Sequence, residues 1–191
     1  MRVVAGTARG LQLVAPDGTD VRPTTNRVRE ATFNALYSLG VVDRAVVWDL
    51  FAGTGAMAIE ALSRGAAHAH IIERSSAAID AIEINLDTTK LASQASVHRL
   101  DAFAFLANSA ERFGLAESGD EARLIAIVDP PYQFDEWAEL LELLENVPGL
   151  TVVIESGQEI DPGKHWSIVR SRRYGGSVVM IMEPDRDDYA L

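Results

Sequence analysis

The chain has 191 residues, is 48% hydrophobic and 24% charged, carries a net charge of −11 and contains no cysteine. That length and apolar content suit one domain with a full core and exclude a disordered chain. The missing cysteines exclude disulfides, thiolate metal sites and cysteine nucleophiles, and fit a cytoplasmic protein.

No run approaches the roughly 18 to 20 apolar residues of a membrane span. The start, Met1 to Gly6, lacks the apolar stretch of a signal peptide. Net acidity at face value disfavours nucleic acid as a partner. The distribution of charge qualifies this. Residues 1–29 hold five arginines against Asp17 and Asp20, a net of +3, and residues 163–174 hold Lys164, Arg170, Arg172 and Arg173 with no acid, a net of +4. Such clusters also arise as ordinary solvated faces.

Residues 1–21 read as an appendage. Val3-Val4-Ala5 and Leu11 to Ala15, separated by Gly6 to Gly10, predict a small hairpin with Arg9 at its tip. Residues 22–191 form the main domain. Val28, Ala31, Thr32, Ala35, Leu36 and Leu39 mark one helical face, with Thr24, Thr25 or Asn26 as cap and Gly40 as stop. Ala45 to Leu50 predicts a buried strand, Phe51 to Gly55 a tight loop, and Met57 to Arg64 a helix.

The alternation then repeats. Ala69 to Ile72 predicts a strand ending in Glu73, followed by a helix through Ile79, Ile82 and Leu86. Ser96 to Leu100 predicts a strand ending in Asp101, followed by a helix through Phe103 and Leu106; residues 114–123 read as a polar loop. Leu124 to Val128 is a further apolar strand, Phe134 to Leu141 a helix ended by Pro148-Gly149, and Leu150 to Ile154 the fifth strand. Ser167 to Tyr174 and Ser177 to Met182 flank Gly175-Gly176 with no helix between, as in an antiparallel hairpin. The whole predicts a doubly wound α/β sheet.

In such sheets ligands bind beyond the carboxyl ends of the strands. Asp49 with its glycine loop, Glu73, Asp101 and Asp129 all fall there. Gly53-Thr54-Gly55-Ala56-Met57-Ala58 fits G-x-G-x-x-G/A, with Glu73 twenty residues after Gly53, as in a dinucleotide fold. Taken alone the glycines also fit an ordinary tight turn. Asp49 shifts the reading from NAD, because an acid beside the loop suits a cofactor with a cationic amine better than one with two phosphates. S-adenosylmethionine has that ammonium, ribose hydroxyls for Glu73 and an adenine amine for Asp101.

Asp129-Pro130-Pro131-Tyr132 leaves its strand as a stiff corner, because neither proline has an N–H and both have a fixed φ. The exocyclic amine of a nucleobase is a poor nucleophile. Its methylation needs acceptors aimed at its N–H groups, which the Asp129 carboxylate and the Pro130 carbonyl supply. Tyr132 offers a stacking face for a base drawn out of its helix.

Asp49-Leu50-Phe51-Ala52-Gly53-Thr54-Gly55 with Asp129-Pro130-Pro131-Tyr132 resembles the class I S-adenosylmethionine-dependent methyltransferases of exocyclic amines. Arg22-Pro23-Thr24-Thr25-Asn26-Arg27-Val28-Arg29-Glu30-Ala31-Thr32-Phe33-Asn34, with Arg9-Gly10 and Tyr174-Gly175, is similar to the RsmD family of 16S ribosomal RNA guanine-N2 methyltransferases. The likeness covers nearly the whole chain. It implies a Rossmann-like class I fold of seven mostly parallel strands with a C-terminal antiparallel hairpin and a small N-terminal hairpin.

It also implies transfer of methyl from S-adenosylmethionine, leaving S-adenosylhomocysteine, to N2 of a guanine in an assembled or partly assembled 30S particle. A monomer without metal is expected. Asp49, Phe51, Gly53, Thr54, Gly55, Glu73, Asp101 and Ala102 would hold the cofactor. Asp129, Pro130, Pro131 and Tyr132 would hold the amine and base. Arg9, Arg22, Thr24, Arg27, Arg29, Arg172, Arg173 and Tyr174 would face the RNA. The rival readings are a DNA adenine-N6 or cytosine-N4 methyltransferase, an NAD-dependent oxidoreductase, and a non-enzymatic RNA-binding assembly factor.

Overall fold

The computed structural model describes residues 1–16, 26–109, 123–147 and 149–185. Arg22 and Thr24 lie outside the described residues, as does most of the predicted polar loop 114–123. Among the described residues seven strands form one sheet: β1 (Val46–Asp49), β2 (His68–Ile72), β3 (Ala95–His98), β4 (Leu124–Val128), β5 (Leu150–Ser156), β6 (Trp166–Tyr174) and β7 (Ser177–Pro184). Among the described residues five α-helices accompany it: α1 (Asn26–Ser38), α2 (Ala56–Ser63), α3 (Ser76–Thr89), α4 (Ala102–Ser109) and α5 (Trp137–Glu145).

The strand order is β3-β2-β1-β4-β5-β7-β6. β1 to β5 are mutually parallel, and β7 runs antiparallel to both β5 and β6. The predicted α/β sheet and its closing hairpin are therefore both present. The connection order reverses between β1 and β4, which creates a switch point at their carboxyl ends.

Side chains alternate across a strand, so each central strand feeds two cores. Val47, Ile71, Ile127, Val153 and Ile181 pack with Phe33 and Leu36 of α1, Ile59 of α2 and Ile82 of α3. Val46, Trp48, Ala126, Val152 and Met180 pack with Phe105 of α4 and Leu140 and Leu144 of α5. Helices thus cover both faces. The β4 strand is buried at all five positions, which is why its sequence reads as an unbroken apolar run rather than an alternating one.

Most boundaries shift by a residue or two from expectation, and two shifts bear on the site. The third strand stops at His98, short of Leu100. The fifth helix begins at Trp137, so Phe134 precedes it. The prolines hold the chain extended after β4, and a turn in which the Phe134 N–H donates to the Pro131 carbonyl at 2.9 Å intervenes before the helix starts.

The N-terminal segment pairs with itself through one antiparallel bridge, Arg2 to Gln12, rather than through the two strands predicted. The Val3 N–H donates to the Leu11 carbonyl at 3.0 Å, and the Gly10 N–H to the Val3 carbonyl at 2.9 Å. Val3, Ala8 and Leu13 are buried in the same core as α2. Gly6 is seated on the last turn of that helix. A Cβ there would lie 1.7 Å from the Ser63 carbonyl oxygen, and its φ of +82° also favours glycine.

Candidate active site at the switch point

The site grows from the ends of β1 and β4. The Leu50 N–H donates to the Ile127 carbonyl at 3.0 Å, which ties the two strand ends together where Asp49 and Asp129 emerge. After β1 the chain turns through Gly53 and Gly55. Gly55, with φ of +71°, caps α2, and its missing side chain admits Ile82 of α3, 3.3 Å from where a Cβ would stand.

The glycine loop is fastened from two sides. Glu73, at the end of β2, accepts from the Gly53 N–H at 2.9 Å with Oε2 and from the Arg74 and Ser75 N–H groups at 2.8 Å with Oε1. Asn85 of α3 donates to the Thr54 carbonyl and to the Val14 carbonyl, both at 3.0 Å, and accepts from the Val14 N–H at 2.8 Å. One buried amide thus joins the cofactor-type loop to the N-terminal segment. Asn85 escaped the sequence reading, although a lone polar residue between Ile82 and Leu86 on an apolar face marks it.

Asp49 is only 2% exposed. Its Oδ2 accepts from the Ala58 N–H in the first turn of α2 at 3.1 Å. Burial, opposed by that hydrogen bond and reinforced by the nearby charges of Asp129 and Glu73, raises its pKa to about 7. A carboxylate held this way is short of a cation. An ammonium placed beside it would restore ordinary acidity, whereas a pyrophosphate would aggravate the repulsion. The donor set therefore fits the amino-acid end of S-adenosylmethionine and disfavours a dinucleotide.

Asp101 is exposed, and its Oδ1 accepts from the Ala104 N–H at 2.8 Å, capping α4; Ala102 beside it is buried. Around Phe51 stands an aromatic group that the sequence reading did not assemble. Phe134 packs edge-on to Phe51 with centroids 5.4 Å apart, stacks near Phe103 at 6.3 Å and meets Trp137 at 5.0 Å. This group anchors the corner from below. Tyr132, at its apex, is 72% exposed, while Asp129 and Pro130 are half-buried and Pro131 exposed.

The basic residues divide. Arg27 is exposed on the first turn of α1. Arg172 and Arg173 are exposed on edge strand β6, and Tyr174 is half-buried. Tyr174 pairs with Ser177, and Ser156 with Val178, so the Gly175-Gly176 tip lies at the carboxyl end of β5, the end that carries Asp129. Arg170, Arg172 and Tyr174 line a narrow crevice against Ala31, Thr32 and Ala35 of α1.

Arg29 does not belong with them. It is fully buried, with its Nε 3.4 Å from Glu60 Oε2 and its Nη2 donating to Asn26 Oδ1 at 2.9 Å and to the Arg2 carbonyl. Burial lowers its pKa, against the opposing pull of Glu60. Glu60, also fully buried, accepts from the Val4 and Ala5 N–H groups at 2.8 and 3.0 Å and pairs with Arg64 at 2.7 Å. The expectation that Arg29 faces the RNA is therefore corrected. Its two-residue spacing from Arg27 rotates it onto the opposite face of the helix.

Arg9 is exposed, and the Thr7 and Ala8 N–H groups just before it donate to Ser63, the last residue of α2. Eight residues of helix, about 12 Å, separate it from the glycine loop. The hairpin tip thus lies toward the far end of the sheet from Asp129. A concavity of about 410 Å³ lined by Leu141, Glu142, Asp161, Pro162 and His165 is also at that far end and shares no residue with the switch point.

No group of three or more His, Asp or Glu residues that could hold a metal ion occurs among the described residues. Among them, no helix is long and apolar enough to cross a membrane.

The chain is similar to known proteins along nearly its whole length. The profile of a family described as "Conserved hypothetical protein 95" matches residues 1–183. The protein named "Putative rRNA methyltransferase YlbH" of Bacillus subtilis is 36% identical over 188 residues, 95% of this chain and 97% of its own. Ribosomal RNA small subunit methyltransferase D of Escherichia coli is 36% identical over 184 residues, 92% of this chain and 85% of its own. A solved structure described as "Putative methyltransferase yhhF from Escherichia coli" superposes with a TM-score of 0.77 at 34% identity, covering 97% of this chain and 98% of the other. The chain belongs to the "Conserved hypothetical protein 95" family, the RsmD family that its Arg-Pro-Thr-Thr block resembles.

Proposed function

We propose that the protein transfers the methyl group of S-adenosylmethionine to the exocyclic N2 of a guanine in small-subunit ribosomal RNA. What carries this reading is the juxtaposition at one switch point of a buried, cation-seeking Asp49 and the acceptor-bearing corner Asp129 to Tyr132. The relatives named as ribosomal RNA methyltransferases support the choice of RNA over DNA.

Asp49, the loop Phe51 to Gly55, Glu73, Asp101 and Ala102 hold the cofactor, which supplies an electrophilic methyl group when bound. Glu73 keeps the loop in shape through three backbone N–H groups, and further acceptor capacity on its oxygens remains for ribose hydroxyls. The Asp129 carboxylate and Pro130 carbonyl accept the two N–H bonds of the target amine. They thereby localise its lone pair and stabilise the positive charge that develops on nitrogen during transfer. Orientation contributes as well, because the prolines fix where those acceptors point.

Arg27, Arg172 and Arg173 contact phosphates beside the site, and Tyr174 lines the same cleft. These contacts position the RNA without reading its sequence. The substrate is the assembled or partly assembled 30S particle, met in the cytoplasm by a monomer of this chain.

The test is incubation with labelled S-adenosylmethionine and undermethylated small subunits, followed by nucleoside analysis. The expected product is N2-methylguanine. Recovery of N6-methyladenine, or of no labelled nucleoside, overturns the proposal.

A further inference from the structure

The Tyr132 ring is far more exposed than an aromatic side chain needs to be for core packing, at 72%. An exposed ring ordinarily samples several rotamers, and a platform for a base must hold one. The backbone beneath it is fixed by the Pro131 to Phe134 turn and by the aromatic group around Phe134. That fixes where Tyr132 starts and leaves its ring free to swing.

What meets the ring is Gly157, the residue just after β5. A Cβ built there would stand 3.2 Å from Tyr132 Cε1 and 3.4 Å from Cδ1, with no other heavy atom of the surroundings within 4 Å. Gly157 is absent from the glycines with positive φ, so its backbone does not demand glycine. Its turn is held separately, by the Ser156 hydroxyl donating to the Gln158 carbonyl. The one local consequence of a missing side chain at 157 is therefore a seat for the edge of the Tyr132 ring.

We propose that Gly157 is a positioning residue that sets the plane of Tyr132, and through it the plane in which the target base stacks. The proposal rests on the methyltransferase reading above. It assigns to the end of β5 a part in aligning the base, in addition to the corner after β4. A methyl group at 157 pushes the ring by a few tenths of an ångström without touching the acceptors or the core. Misplacement by about 1 Å at a reacting centre costs on the order of a hundredfold in rate, so a smaller shift costs roughly five- to tenfold.

The experiment measures steady-state methylation of undermethylated small subunits by four proteins: wild type, Gly157→Ala, Tyr132→Ala and the double variant. The expected result is a roughly five- to tenfold lower kcat for Gly157→Ala, with KM for the particle and cofactor affinity within about twofold of wild type. In the Tyr132→Ala background the alanine at 157 has nothing to displace, so no further loss is expected. An equal loss in both backgrounds shows an effect that bypasses Tyr132 and overturns the proposal. So does an unchanged kcat in Gly157→Ala while the wild type is active. A wild type that transfers no methyl to the particle is a different failure: it overturns the functional reading itself, and this proposal falls with it.

Discussion

On the glycine-loop side of the site Asp49 is 2% exposed, Glu73 accepts three backbone N–H groups, and Asn85 stitches the loop to the N-terminal segment. On the corner side Tyr132 is 72% exposed, and the arginines proposed to meet the RNA are exposed on edge strand β6 and at the start of α1. The first half is built of buried, mutually bonded groups. The second sets an exposed ring on a fixed backbone. A small cofactor can be enclosed by one chain, whereas a base presented by a large particle must be met at an open surface. The contrast predicts that changes on the corner side reduce transfer and leave the fold and cofactor affinity alone, while changes on the loop side alter binding and stability together.

The largest expected effect breaks the two halves apart. Asp129→Ala removes a charged acceptor for the target amine and leaves the loop intact. Loss of a preorganised electrostatic group of this kind costs about 10² to 10³ in rate. Single-turnover transfer from labelled S-adenosylmethionine should fall by that amount, with cofactor affinity by calorimetry within about threefold of wild type. A matching loss of cofactor affinity would show that the halves are not separable.

Next comes the buried ion pair behind the loop. Arg29→Met leaves Glu60 with Arg64 and two backbone donors but removes the partner inside the core. Breaking a buried pair costs about 3 to 5 kcal/mol; the remaining partners of Glu60 place the expectation near the lower bound. Thermal unfolding should show it as a clear drop in Tm. Particle affinity measured well below the new Tm should be unchanged, since Arg29 does not reach the surface.

Asp49 sharpens the same comparison through pH. Its folded pKa of about 7 lies above the ordinary value of 3.8. The folded state therefore holds this proton more tightly than the unfolded chain. The resulting contribution favours folding below about pH 4, is lost as pH rises toward 7 and changes little beyond. Binding runs in the opposite sense. An ammonium favours the ionised carboxylate, so cofactor affinity should fall roughly tenfold between pH 7.5 and 6, with proton release on binding at pH 7. Asp49→Asn should raise Tm at pH 8, weaken cofactor binding by about a hundredfold and flatten that pH profile. Calorimetry in buffers of different ionisation enthalpy reads the proton. An unchanged profile in the Asn variant would assign the pH dependence elsewhere.

Much of this architecture was legible from residue patterns because the signals were local. Apolar runs such as Leu124 to Val128 and Val46 to Trp48 mark buried parallel strands, and four acids at strand ends mark the switch point. What was not legible depended on rotation about a helix or on contacts between distant elements. Arg27 and Arg29 look equivalent as letters, yet one faces solvent and the other Glu60. Glu60 itself is visible as a lone charge in the apolar helix Ala56–Ser63, but nothing local says that residues 4 and 5 cap it. Arg9 looks like a hairpin tip near RNA until Gly6 and Ser63 fix its position at the end of α2. Phe134 looks like a helix residue until the turn after Pro131 redirects it to Phe51.

The smallest expected effect tests the open side and completes the contrast between neighbouring arginines. Arg27→Glu and Arg172→Glu each replace an exposed cation with an anion. If both side chains meet phosphates, each contact releases a condensed counterion, so log affinity against log salt should flatten by about one unit for the lost contact. The loss should be greatest at low salt and shrink as salt rises. Neither variant should shift Tm appreciably, because exposed charges contribute little to stability. Buried Arg29 should show the reverse pattern, a Tm change without a salt-slope change. If Arg27→Glu and Arg172→Glu both leave the salt slope and affinity of the particle unchanged, the basic surface is only a solvated face. The open half of the site would then rest on Tyr132 and the shape of the RNA.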